Sequence, residues 1–158
     1  MEIRDALPTE HAALGELCVR AYRGIGSVSD SYAAKLRDVA SRAETARVLT
    51  AVNNDGLLGC ITVILEDGPW REISGPDEGE FRMLAVDPAA QGRGVGQALV
   101  HASVDAIRSA GRARVVISSA SDMTDAHRLY ERLGFTRAAA RDWCPVPDVQ
   151  LRVYELSL

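Results

Sequence analysis

The passage from Phe81 to Leu99 constrains the fold more than any other part of the chain. A strand-like run, Glu80 to Val86, passes through Asp87-Pro88 into the turn Gln91-Gly92-Arg93-Gly94-Val95-Gly96. A helical pattern over Gly96 to Ala110 follows, with Ala98, Leu99, Ala102, Ala106 and Ile107 on one face. Glycines at alternate positions let the backbone approach a ligand closely and aim successive N–H groups at one point, and the unsatisfied donors of a helix start attract anions. A pyrophosphate suits such a turn, and Arg93 adds attraction beyond the ~0.3–1 kcal/mol per charge that a helix end supplies. The spacing excludes two other phosphate sites. G-x-G-x-x-G is absent, no acidic residue ends the next strand as a ribose contact would require, and G-x-x-x-x-G-K-[ST] is absent too.

Around this passage, short β signals alternate with amphipathic helical ones, an α/β or α+β pattern. Glu2 to Ala6 reads as a strand, and Thr9 as the cap of a helix reaching about Tyr22. Ser31 to Arg42 reads as a second helix. Arg47 to Val52 and Leu57 to Leu65 form a hairpin about Asn53-Asn54-Asp55-Gly56. Asp67 to Gly79 is the longest loop and a candidate substrate lid. Arg114 to Ser118 is a strand, Thr124 to Leu133 a helix ended by Gly134, and Phe135 to Asp142 and Val149 to Leu156 are closing strands.

At 158 residues, 47% hydrophobic and 25% charged, the chain closes one core, and residues 1–158 read as a single domain. No apolar run approaches membrane-spanning length, and the first residues lack a secretory pattern, so a cytoplasmic protein is expected. A net charge of −4 disfavours nucleic acid as a partner. Cys18, Cys60 and Cys144 are too scattered for a disulfide framework or zinc site and read as buried small apolar residues. His11, His101 and His127 share no spacing with Asp or Cys that suggests a nucleophile or a metal site, and read as surface residues.

Two blocks together resemble the GNAT acetyltransferase superfamily. Its signature [QR]-x-x-G-x-[GA] appears as Gln91-Gly-Arg-Gly94-Val-Gly96, and its L-Y-x-x-x-G-F block as Leu129-Tyr130-Glu-Arg-Leu-Gly134-Phe135, one helix and one strand later. The resemblance spans roughly residues 80 to 136. It implies a mixed central sheet of about six to seven strands, flanked by helices and splayed at the cofactor site. It implies acetyl-CoA as cosubstrate, without a metal, and a primary amine of a small molecule or peptide as acceptor. By the same resemblance Leu84, Ala85 and Val86 hydrogen-bond the pantetheine arm, Gln91 to Gly96 hold the pyrophosphate, and Ala126 and Tyr130 face the cofactor. Met123 stands where the family often carries Asn, which removes a side-chain amide from that position and leaves Asp122 to cap the helix.

Attack on a thioester needs a neutral amine, and an alkylammonium of pKa ~10.4 is neutral about once in 2,500 molecules at pH 7, a barrier of ~4.6 kcal/mol. Glu80, which begins the strand leading to the cofactor, is the first candidate base; Glu78 and Asp77 are alternatives, and pairing between Glu80 and Arg82 is the competing structural role. Tyr130 is the candidate acid for the departing thiolate, and the competing role for it is a core tyrosine bonded to backbone. Tyr22, Trp70 and Trp143 are candidate walls of the acceptor pocket. The expected activity is acetyl transfer by direct attack in a ternary complex; the alternative is a non-catalytic acyl-CoA-binding sensor. Exposed strand edges leave room for a homodimer.

Overall fold

A computed structural model describes residues 1–158. In chain order the elements are β1 (Glu2–Asp5), α1 (His11–Arg23), α2 (Asp30–Arg37), α3 (Val39–Thr45), β2 (Arg47–Asn53), β3 (Gly56–Ile64) and β4 (Glu78–Val86). After these come α4 (Val95–Ser109), β5 (Arg114–Ala120), α5 (Thr124–Arg132), β6 (Thr136–Arg137), β7 (Trp143–Val146) and β8 (Val149–Ser157). They build one mixed sheet of eight strands in the order β1-β2-β3-β4-β5-β8-β6, with β7 paired to β8. Only β4 and β5 run parallel.

The period-two pattern of the strands splits the core into two layers. Val48, Cys60, Met83 and Ala85 face the helices α1 to α3, packing with Leu14, Leu17, Cys18, Leu36 and Val39. Their neighbours Leu49, Ala51, Ile61, Val63 and Phe81 face the other way, against Leu99, Val100 and Ile107 of α4 and Tyr130 of α5. The β2–β3 hairpin closes on the Asn53↔Gly56 pair, with Asn53 Oδ1 accepting the Asp55 N–H at 2.9 Å. No helix is long and apolar enough to cross a membrane.

Several elements differ from the sequence expectation for local reasons. Thr9 does not cap α1: Pro8–Glu10 forms a 3-10 turn in which Glu10 reaches back to accept the Leu7 N–H at 2.8 Å. The helix expected over Ser31 to Arg42 is two helices, because Asp38 leaves helical geometry and its carboxylate accepts the Ser41 N–H, starting α3. Arg42, fully buried, bridges the break by donating to the final carbonyls of α2, Lys35 at 2.7 Å and Leu36 at 3.1 Å. The strand expected over Phe135 to Asp142 shrinks to Thr136–Arg137. Beyond it Arg141 is drawn to Glu78, while Asp142 binds Arg137 and the Val153 N–H. The segment after it, Trp143–Val146, is β7.

The feature that positions the site is the parting of β4 from β5. Their pairing runs only from Glu78↔Arg114 to Glu80↔Val116. Beyond it, the register of β4 against β3 slips between the Cys60↔Ala85 and Thr62↔Arg82 pairs, and Met83 takes φ 57°, the left-handed region rarely adopted by a side-chain-bearing residue. This bulge bends β4 away, leaving the edge of Phe81 to Val86 that faces β5 without a strand partner.

Candidate active site

The parted strands open a cavity of about 670 Å³. Its walls come from both faces of the sheet: Tyr22 and Met83 belong to the α1–α3 layer, Phe81 and Tyr130 to the α4–α5 layer. Leu84 and Ala126 line it as well, so the cavity unites four sequence candidates, Tyr22, Leu84, Ala126 and Tyr130. The α1–α2 connection, the end of β5 and the β7–β8 hairpin complete the wall.

Tyr130 sits on α5 among Phe81, Phe135 and Tyr154, with ring centroids 5.8 to 6.0 Å away. These contacts fix the ring, and the hydroxyl is neither an orphaned buried atom nor tied to backbone. Burial, with Tyr154 adding to it, raises the phenol well above its ordinary value, so it carries its proton at neutral pH. Across the cavity Tyr22 and Tyr32 meet edge to face at 5.9 Å, and burial raises both phenols.

At the far end of β4, Asp87 accepts the Ala89 N–H and pairs with Arg20 at 2.8 Å, and buried Ala90 pins the chain before it turns. Gly92 (φ 73°) and Gly94 (φ 80°) take left-handed geometry, and a Cβ added to either would meet nothing within 4 Å. The space before the turn is therefore open, and backbone geometry alone demands glycine there. Val95 anchors the start of α4 in the core. Gly96 lies where a Cβ would be 3.5 Å from Leu129 and 3.6 Å from Val86, seating the turn beside α5 and the end of β4. The N–H groups of Val95, Gly96 and Gln97 have no acceptor within the chain. Gln91 and Arg93 are exposed beside them.

Other candidates lie elsewhere. Glu80, 1% exposed, is not on the cavity wall: its oxygens accept the N–H groups of Glu72 at 2.6 Å and Ile73 at 3.3 Å. Nor does it pair with Arg82, which binds Glu72 at 3.0 Å and the Trp70 carbonyl at 3.0 Å. Both β4 side chains lash down the loop expected as a lid. Glu78 is committed to Arg141 at 2.9 Å and Arg114 at 3.3 Å, and the hydrogen bonds from Arg141 hold its carboxyl at about 2, too acidic for a base. Asp77 is exposed, with its carbonyl bound by Ala113.

Trp70 stands behind the wall, between the guanidinium groups of Arg42 at 5.7 Å and Arg82 at 5.9 Å. Trp143 is also outside it, its indole N–H donating to Ser118 at 3.0 Å. Asp122 lines the cavity without capping α5. His127 is buried rather than on the surface, 3.2 Å from Ser119, and burial lowers its pKa; Cys144 is exposed rather than buried.

The sequence reading missed Glu72 and Tyr32. Both line the cavity, and Glu72 lies inside the loop already marked by its length. No cluster of three or more metal-ligating side chains occurs.

Residues 44–137 match the sequence model of the acetyltransferase (GNAT) domain. Mycothiol acetyltransferase of Beutenbergia cavernae is 37% identical over 78 residues, 49% of this chain, and the match spans only 26% of that longer protein. Among solved structures, yncA of Salmonella typhimurium, which holds its cofactor acetyl-CoA, superposes with a TM-score of 0.75 at 26% identity, covering 100% of this chain and 94% of its own. The ribosomal-protein-S18-alanine N-acetyltransferase of Escherichia coli shares the fold with a TM-score of 0.73 at 22% identity, covering 99% and 92%. With more than half its length matched to the domain, and with the parted strands and glycine turn in place, the chain belongs to the GNAT acetyltransferase family.

Proposed function

We propose that this enzyme moves the acetyl group of acetyl-CoA onto a primary amine of a small molecule or peptide, by direct attack in a ternary complex. The observation that carries this reading is the cavity between β4 and β5, with Tyr130 on its wall and a glycine turn of unpaired N–H groups beyond it. The residues suit the cofactor. Val95 to Gln97 offer three donors to a pyrophosphate at the positive end of α4. The unpaired edge of β4 at Leu84 to Val86 offers backbone groups to an amide-bearing arm, as an open strand edge does to a peptide. Relatives named mycothiol acetyltransferase support acetyl as the group moved.

Acetyl-CoA supplies an activated thioester carbonyl. The chain supplies position, exclusion of water and proton management. Tyr130 donates toward the departing sulfur. A thiol has a pKa near ~8.5 and an ordinary phenol ~10, and burial makes Tyr130 weaker still. Full transfer is therefore uphill until the nitrogen, positively charged after attack, returns a proton to the phenol. Tyr130 thus ends each cycle protonated. Acceptors enter past Tyr22 and Tyr32 on the α1–α2 side.

The test is thiol release from acetyl-CoA across a panel of primary amines. Release that depends on the amine and yields its N-acetyl product is expected. Binding without transfer to any amine would refute the proposal and favour a sensor.

A further inference from the structure

The acceptor amine must lose a proton before it attacks, and the carboxylate nominated by its place on β4, Glu80, has both oxygens turned into the loop. We propose that Glu72, not Glu80, is the carboxylate that receives the acceptor amine and takes its proton, and that Glu80 is a positioning residue holding Glu72 at the cavity wall. This assignment rests on the acetyltransferase reading above.

The geometry works in two tiers. In the lower tier Glu80 accepts the Glu72 N–H at 2.6 Å and the Ile73 N–H at 3.3 Å, fixing the backbone of the loop where it crosses β4. In the upper tier Arg82 Nε holds Glu72 Oε1 at 3.0 Å. Arg82 is itself fixed by the Trp70 carbonyl at 3.0 Å and by the face of the Trp70 indole. Glu72 is thereby held by backbone and side chain together, and the second oxygen of its carboxyl, Oε2, accepts no hydrogen bond from the chain. Its side chain is 17% exposed, and it lines the same cavity as Tyr22, Tyr32 and Tyr130. Proton acceptor and proton donor thus stand on one cavity.

The charged and titratable groups around Glu72 come from several elements. Burial raises its pKa most. Arg82 opposes this, Glu80 adds to it, and Lys35 of α2 opposes it; Tyr32 of α2 and Tyr22 of α1 share the wall. The outcome is a carboxyl pushed upward, toward the range in which a carboxylate accepts a proton usefully at neutral pH.

The step balances. The acceptor ammonium gives one N–H proton to Glu72, and its freed lone pair forms the C–N bond to the acetyl carbonyl carbon. The C–S bond then breaks with its electron pair leaving on sulfur. The second proton on nitrogen replaces the one Tyr130 gives the sulfur, and Glu72 releases its proton to water.

The experiment pairs Glu72→Gln with Glu80→Gln. Both are assayed from pH 6 to 9.5 with the best acceptor among n-butylamine, 2-phenylethylamine and an alanine-initiated tripeptide. Acetyl-CoA affinity is measured by calorimetry and loop exposure by amide hydrogen exchange. Glu72→Gln is expected to lower kcat at neutral pH by about 30- to 1,000-fold. The deficit should shrink about tenfold per pH unit as the acceptor deprotonates unaided, with acetyl-CoA affinity within about threefold. Glu80→Gln is expected to speed exchange at the Glu72 and Ile73 amides and to lower kcat without moving the acid limb of the pH profile. Wild-type turnover with a normal Glu72→Gln rate overturns this assignment and leaves the transferase reading intact. So does an acid limb that moves only in Glu80→Gln. A wild-type enzyme that binds acetyl-CoA and acetylates no amine overturns both.

Discussion

Gly94→Ala separates the two reasons for a glycine in the cofactor turn. Gly94 has φ 80°, and an added Cβ would meet nothing within 4 Å. The free protein therefore gains only backbone strain, which costs about 1–2 kcal/mol of stability for an L residue in the left-handed region, or about 2–8 °C in Tm for a domain of this size. A matched control exists in Gly111, in the turn between α4 and β5, with φ 77° and equally empty surroundings. Gly111→Ala should lower stability by the same amount. The two should part company in binding. At Gly94 the methyl projects beside the unpaired N–H groups of Val95 to Gln97, so acetyl-CoA affinity should fall at least about tenfold, equivalent to ~1.4 kcal/mol. At Gly111 it should stay within about twofold. Gly94→Asp should fall further still, because a carboxylate 4 Å from a phosphate charge is repelled by about 1–4 kcal/mol. Thermal melting and calorimetry of the three variants supply both numbers. Equal affinity in Gly94→Ala and Gly111→Ala, with both folded, would refute the placement of the pyrophosphate at this turn.

Tyr130→Phe keeps the ring contacts and deletes the hydroxyl, and should slow single-turnover transfer by about 10- to 1,000-fold with acetyl-CoA affinity within a few-fold; a normal rate would remove the acid role. Glu78 should stabilise the fold in a pH-dependent way. Its carboxyl lies at about 2 against an ordinary 4.5, so the stabilisation is complete above the unfolded value and is lost as pH falls through about 2. Glu78→Gln should therefore lower the unfolding free energy by about 1–3 kcal/mol at pH 7 and by progressively less toward pH 2, read by urea titration at each pH; a pH-independent deficit would contradict the ionic origin. Gly79→Ala would place a Cβ 2.7 Å from Ile107 and should destabilise by about 1–3 kcal/mol through overpacking between β4 and α4, read by the same titration.

What was legible in the sequence is what local pattern determines. The hairpin about Asn54-Asp55, β4, the glycine turn and α4 all fall within a residue or two of their expected limits, because alternation, helical spacing and turn chemistry act over neighbours. The break at Asp38 was written locally too, as an Asx cap followed by Ser41, but the apolar spacing on either side of it reads through as one helix. The candidate base depended on something no local pattern encodes. Glu80 and Arg82 share a strand face, yet the loop crossing that face sends Glu80 to backbone N–H groups and brings Glu72 to the cavity. Trp143 lies off the cavity wall for a similar reason: its neighbours are set by the pairing of β7 with β8, and its indole N–H donates to Ser118 of β5.

The most direct test of direct acetyl transfer is rapid-quench single turnover. The enzyme is preloaded with acetyl-CoA and mixed with an accepted primary amine, and intact protein, free thiol and small-molecule product are followed together by mass spectrometry. The account predicts that thiol and N-acetyl amine appear at one rate, in equal amounts, and only after the amine is added, with the protein mass unchanged throughout. Thiol released before the amine arrives, with one acetyl mass gained by the protein, would contradict direct attack in the cavity between β4 and β5.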